Sequence, residues 1–317
     1  MTDPHSTELA WMGDRRASIP KVEYQESDFG KVAELTAEQV LKIASSITSG
    51  KIYDLDSGRW PGMPLFGGHP AFQITTYRTA TGQDIAGDFD EWRGINDVHM
   101  GFTTELISGT AHTGTHIDAL CHTTCGPDNE WFGGHKSKEA LGDFGPTRAE
   151  ASSIAPIVSR GILVDVAGFR KIDALPAGEV ISLKEFKEVL EHQSIEVLVG
   201  DVVLVHTGYM KFWTQGVDTV SKFKGAGISL EVADYLAERG AVVVGADTET
   251  VEADPSPDPR NPHPVHIRLM IEKGVHLLEL VYLSDLARDH VYQFMFVCLP
   301  LRIKGATGSM VRPIAIC

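Results

Sequence analysis

Four short apolar runs stand out along this chain, each bounded by turn-forming residues: Gly161-Ile-Leu-Val-Asp-Val, Asp201-Val-Val-Leu-Val-His, Ala241-Val-Val-Val-Gly-Ala and Tyr292-Gln-Phe-Met-Phe-Val-Cys-Leu. Runs this short, rich in β-branched residues, predict buried strands. Helical spacing falls between them, over Ser182 to Glu191 and over Ser229 to Arg239, the second opening on a serine cap and ending before Gly240. Upstream, Thr36-Ala-Glu-Gln39 has the form of a capping box and predicts a helix through about residue 46. Lys51-Ile-Tyr-Asp-Leu begins strand-like chain. The stretch Trp60-Pro-Gly-Met-Pro-Leu-Phe-Gly-Gly-His-Pro70 holds too much glycine and proline for anything but loop or edge.

Strands alternate with helices but outnumber them. The expected class is therefore α/β, with a mixed sheet forming a barrel-like β core flanked by helices. Residues 1–50 read as an N-terminal arm and helix, the arm wrapping a surface or a partner subunit. Residues 51–317 read as one domain, since no repeat, low-complexity tract or linker interrupts them.

Composition narrows the function classes. Of 317 residues, 43% are hydrophobic and 22% charged, and the formal charge of −15 disfavours a phosphate-backbone binder, so nucleic acid is not an expected partner. The first residues lack the basic start and apolar run of a signal peptide, and no long apolar stretch suits a membrane span, which gives a cytoplasmic expectation. Four cysteines are too few and scattered for a disulfide framework, and Cys121 and Cys125 read as packing residues.

The chemistry concentrates in His112-Thr-Gly-Thr-His116-Ile-Asp118-Ala-Leu-Cys-His122, a segment holding three of the chain's 13 histidines. These four groups share sequence parity, so an extended segment would present all of them on one face. His116 and Asp118 would start about 6.5 to 7 Å apart, a gap two ligands with bonds of about 2 Å can bridge to one ion. His112 lies farther off, so the backbone must bend, and Gly114 is the residue to allow it. Imidazole and carboxylate without thiolate suit Zn²⁺ or Mn²⁺.

A second cluster follows the run ending at Ala246. Asp247 has the position of a turn cap. The proline- and acid-rich loop from Asp254 reaches His266 at the start of a short helix, Ile267 to Lys273, stopped at Gly274. Val275-His276-Leu-Leu-Glu279-Leu-Val then reads as a strand whose Glu279 sits among apolar neighbours, costly unless paired or bound to a cation. His206, His263 and His276 read as structural histidines.

Taken in order, these segments resemble the cyclase-like family of metal-dependent hydrolases, which includes bacterial kynurenine formamidase, isatin hydrolase and trans-dienelactone hydrolase. The match to H-x-G-T-H-x-D with a further histidine four residues on is carried by His112, Gly114, Thr115, His116, Asp118 and His122. Met63-Pro-Leu-Phe-Gly-Gly-His-Pro, Gly245-Ala-Asp-Thr and Leu299-Pro-Leu-Arg-Ile-Lys-Gly-Ala-Thr-Gly-Ser support it. The resemblance implies His112, His116 and Asp118 as ligands of a first divalent metal, His122 as the proton-handling residue, and His266 with Glu279 as the pair completing a second metal site. It also implies a homodimer or homotetramer acting on a small-molecule substrate. The reaction expected is water attack on an amide or ester carbonyl of a cyclic amide, lactone or formamide, in a pocket walled by Trp60, Phe66 and the loop from Asp84 to Trp92. Leu120 stands where the formamidases carry proline, Phe66 where they carry tryptophan, and the His266 to Glu279 spacing is one residue longer. Kynurenine formamidase proper is therefore the alternative, beside a non-catalytic metal-binding protein. No G-x-S-x-G elbow suggests a serine hydrolase.

Overall fold

The apolar runs become the centre of a nine-stranded mixed sheet in the computed structural model, which describes residues 28–88, 90–92 and 94–317. Its strands are β1 (Ile52–Asp54), β4 (His116–Asp118), β5 (Ile157–Asp165), β6 (Val202–His206), β7 (Val243–Ala246), β8 (His276–Glu279), β9 (Gln293–Cys298), β10 (Gly308–Met310) and β11 (Ile314–Ile316); β2 (Gln73–Arg78) and β3 (Thr104–Ser108) form a separate antiparallel ribbon. The spatial order is β1-β11-β9-β5-β6-β7-β8-β4-β10. Strands β5, β6, β7 and β8 run parallel, and the pairings on either side of them are antiparallel. Parallel strands are covered on both faces, which is why these runs are continuously apolar: Ile162 to Val164 and Val202 to Val205 are fully buried.

Two helices cover this centre on the stripes their spacing predicts. α2 (Leu183–His192) starts at Ser182, whose hydroxyl accepts from the Glu185 N–H, and buries Phe186, Val189 and Leu190. α3 (Leu230–Glu238) starts at Ser229 and buries Val232, Ala233 and Leu236. Each large side chain so buried contributes roughly 1.5 to 3 kcal/mol. The capping box closes α1 (Ala37–Ala44), Thr36 and Gln39 exchanging side-chain and backbone bonds as expected. Of the expected arm, residues 1–27 lie outside the described residues.

The sheet curls. Although β1 and β8 are far apart in the strand order, Asp56 just beyond β1 bridges Val281 just beyond β8, and the Tyr282 N–H donates to the Leu55 carbonyl at 2.9 Å. That closure wraps the chain from Leu55 to Arg59 around the start of β4, and so around the histidine segment. Two expectations about local structure need correction. Only His116 to Asp118 is strand; His112 to Thr115 and Ala119 to His122 are turns, because Gly114 bends the backbone at φ +59° and the His122 N–H folds back onto the Ala119 carbonyl. The short helix before Gly274 is one α-turn, Pro264–His266, that widens into a π-turn over Ile267–Glu272.

Among the described residues no helix is long and apolar enough to cross a membrane.

Candidate metal centre

Gly114 and Thr115, in the middle of the histidine segment, act on the backbone rather than on chemistry. A Cβ at Gly114 would sit 2.7 Å from the Gly58 carbonyl oxygen, and its φ is positive, so only glycine makes this bend. The Thr115 hydroxyl donates to the Leu280 carbonyl at 2.7 Å and accepts from the Ser57 N–H at 2.8 Å, tying three chain segments together. Arg59 braces the same turn through its bonds to the Thr113, Thr115 and Val311 carbonyls and to Asp56.

On that base the ligand-type groups converge by strand register. His116 pairs directly across from Glu279, putting the two side chains on one face of neighbouring strands, with His116 Nε2 3.2 Å from Glu279 Oε2. The His116 Nδ1–H donates to the Gly114 carbonyl at 2.7 Å, which fixes the tautomer and turns Nε2 inward. Gly308 pairs across from Asp118; its missing Cβ, which would meet the His112 ring at 2.7 Å, makes room for that imidazole. His112 Nδ1 lies 2.7 Å and His116 Nε2 3.5 Å from Asp118 Oδ1, while His266 Nε2 lies 3.4 Å from Glu279 Oε1 and 4.0 Å from Asp118 Oδ2. The His122 ring stacks on His112 at 3.9 Å.

These groups form two triads of ligand-sized spacing that share Asp118: His112, Asp118 and His122, and His116, Asp118 and Glu279. The structure thus draws all six residues expected of the centre into one place, with His122 as near to Asp118 and His112 as a ligand would be. Asp118 is fully buried, yet neither of its oxygens takes part in a directed hydrogen bond; Glu279 Oε1 and His112 Nδ1 are in the same position. Two buried carboxylates with unmet lone pairs cost several kcal/mol unless a cation joins them. Imidazole nitrogen and carboxylate oxygen without thiolate suit a borderline or hard divalent ion, so the residues present fit the metal that the sequence implies.

The electrostatics follow from this crowding. Burial resists ionisation of Asp118, but the imidazoles of His122, His112 and His116 hold its carboxyl below the ordinary range. Burial is the main influence on His122 and pushes its pKa down to about 4, so the ring is neutral at pH 7. Burial likewise opposes charge on His266, but the carboxylates of Glu252 and Glu279 raise it.

The centre opens into a cavity of about 260 Å³, whose wall includes Phe66, His69, His122, Glu249, His263 and Leu280. Phe66 is there as expected, its ring 5.9 Å from His69 and 6.4 Å from His263. Trp60 is not on this wall. Its ring packs edge-on against Trp213 at 6.0 Å, beside a satellite core of Met63, Phe72 and Tyr209, because a large indole gains more from burial there than from facing a small polar cavity. Asp84 and Trp92 line a different cavity of about 400 Å³, with Asn96 and His99 and none of the clustered histidines.

Other expectations resolve case by case. Asp247 is a turn cap: its carboxylate accepts from the Thr207 N–H and hydroxyl and from the Gly208 N–H at 2.7 to 2.9 Å. His206 donates to Asp165 at 2.7 Å, and the buried His276 donates to the Asp118 carbonyl at 2.8 Å, both structural. Cys121 packs in the core, and burial pushes its thiol up, away from nucleophile chemistry. His263 departs from its structural reading, since it reaches the cavity wall. His69, Glu249 and Glu252 were not legible as site residues; a histidine directly after the Gly67-Gly68 pair of the pocket loop was the one available signal for His69.

Comparison with known proteins agrees with this architecture. A crystal structure described as that of a novel cyclase superposes with a TM-score of 0.78 at 26% identity, over 92% of this chain and 97% of its own. Isatin hydrolase A from Labrenzia aggregata, bound to benzyl benzoate, gives a TM-score of 0.59 at 20% identity, over 87% of this chain and 98% of its own. An isatin hydrolase bound to the product analogue thioisatinate gives 0.61 at 17% identity, over 89% and 99%. These two likenesses concern the fold. No curated protein matches the sequence. The Cyclase family model matches residues 53–253, well over half of the chain and the whole histidine segment, and on that match the protein belongs to the Cyclase family.

Proposed function

We propose that this protein is a metal-dependent hydrolase that opens or cleaves an amide or ester bond, in a cyclic amide, lactone or formamide, with His122 as general acid and base. The observation that carries the reading is the pair of triads sharing the buried Asp118, whose histidines and Glu279 line a small cavity and one of which includes His122. His112, His116 and Asp118 would hold a first divalent ion, Zn²⁺ or Mn²⁺, and His266 and Glu279 would complete a second. Such an ion, when bound, supplies Lewis acidity toward a carbonyl oxygen and a water acidic enough to ionise near neutral pH.

This chain's own residues supply the rest. His122, neutral and stacked on His112, is placed to take a proton from the attacking water and return it to the leaving nitrogen or oxygen. Phe66, Leu65 and Leu280 contribute apolar surface to the cavity wall, and the volume limits the substrate to a small molecule. Isatin hydrolases share this fold, which supports including cyclic amides among the candidate substrates.

The test is metal analysis of the purified protein joined to a ring-opening screen of lactones, cyclic imides and formamides, with and without chelator. A co-purifying divalent ion and turnover that chelation abolishes and added metal restores are expected. A metal-loaded protein inert across the panel would sink the hydrolase reading, and activity indifferent to chelation would sink the metal's part in it.

A further inference from the structure

Glu252 lies in the connection between β7 and the α-turn at Pro264–His266, and its carboxylate is buried. One of its oxygens, Oε2, accepts from the Val265 N–H at 2.8 Å. The other, Oε1, accepts from the His266 N–H at 3.1 Å and from the His266 imidazole through Nδ1. These three donors explain how a carboxylate persists there, although burial alone would disfavour its charge.

Together with His263, whose Nδ1 is 3.6 Å from Oε1, this group has the spacing of a third ligand triad. Its bonding argues otherwise. The oxygens of Asp118 have no directed partner, whereas those of Glu252 already accept three N–H groups, two of them from the first turn that carries His266. With its Nδ1–H committed to Glu252, His266 has one tautomer and one ring orientation, and its Nε2 faces Glu279 and Asp118.

We propose that Glu252 is a positioning residue that holds His266, through Nδ1, so that Nε2 is presented as a ligand to the cation shared with Asp118 and Glu279. The inference rests on the metal centre proposed above. A carboxylate behind a ligating imidazole fixes its tautomer and orientation, and losing it typically weakens metal affinity about 10- to 100-fold.

The experiment titrates the chelator-stripped full-length protein with cobalt(II), following the visible band, for wild type, Glu252→Gln, His266→Ala and the double variant. Glu252→Gln should bind cobalt about 10- to 100-fold more weakly than wild type. The same substitution should cost nothing further once His266 is alanine, because both changes remove one interaction. An equal loss in both backgrounds, or no loss in either, overturns the proposal. If Glu252→Gln does not fold, nitrogen-15 spectra of wild type loaded with ¹¹³Cd decide: metal coupling at His266 Nε2 with the proton on Nδ1 supports it, and coupling at Nδ1 overturns it. Wild type that binds cobalt while His266→Ala binds equally well removes Glu252's role and leaves the metal reading standing. Wild type that binds neither metal overturns both.

Discussion

The metal centre and the β2–β3 ribbon break the usual rule of burial in opposite directions. At the centre, carboxylates and imidazoles are buried with lone pairs unmet. On the ribbon, apolar side chains on both faces stand in solvent, with Ile74, Tyr77, Leu106 and Ile107 between 48% and 61% exposed. A two-stranded ribbon has little stability of its own. The contrast sets two separate questions: whether an ion completes the centre where polarity is inside, and whether another surface covers the ribbon where apolarity is outside. A third region supplies the control. The Asp165–His206–Asp247 network is as buried as the metal centre, but each of its carboxylates has directed donors, so it is complete within the chain.

The strongest way to break the comparison is Asp118→Asn. If Asp118 awaits a cation, this variant loses cation binding and turnover by several orders of magnitude, and added metal raises the melting temperature of wild type but not of the variant. Titration calorimetry and melting curves with and without added metal measure both, and cation binding retained in the variant would make Asp118 an ordinary structural carboxylate. His122→Ala comes next: turnover should fall roughly 10²- to 10⁴-fold, with the melting temperature nearly unchanged. Retained activity there would remove the general acid and base.

His206→Ala should behave in the reverse sense, costing about 3 to 5 kcal/mol of stability because it takes the charged partner from the buried Asp165 carboxylate, with cation binding preserved in the folded fraction. The pH dependence of the network sharpens this. Burial opposes both charges, but the pair holds Asp165 below and His206 above its ordinary range. Asp165 therefore adds stability that is present above its unfolded pKa and lost as pH falls through its lower folded value. His206 adds stability that is present below its unfolded value of 6.5 and lost as pH rises through its higher folded value. His206→Ala should flatten both limbs of a stability profile measured from pH 3 to 9. Smallest in energy is the ribbon. The family resemblance implies a dimer or tetramer, and Leu106→Glu with Ile107→Lys should bring the mass in solution to the 34.5 kDa of one chain without touching cobalt affinity. An unchanged mass would assign the ribbon to some other contact.

Local rules were legible in the sequence and long-range ones were not. Serine caps, the Thr36 box, the valine-rich strands and the bend at Gly114 depend on neighbours a few residues away, and each is where the sequence placed it. The histidine segment was visible as a site and its bend at Gly114 was legible, but the extension of its strand through His122 overreached, because alternation in sequence cannot show that a turn follows a three-residue strand. What juxtaposes His116 and Glu279 is antiparallel register across 163 positions, and the sequence carried that only through resemblance. Trp60 was misplaced for the same reason: its partner, Trp213, belongs to a different part of the chain. Glu252 was overlooked because a lone glutamate in an acidic loop reads as solvated until the helix it anchors is seen.

The curl that brings Asp56 to Val281 also sets a clock. Thr115 meets Ser57 and Leu280, partners 58 and 165 positions away, and the ligands on β4 and β8 cannot face each other until those distant loops have closed. Contacts of such separation form slowly because loop-closure entropy is spent before they repay it. On the proposed reading of the centre, cobalt capture requires that closure, and the rate at which its absorbance develops in a refolding mixture reports when β4 and β8 come together.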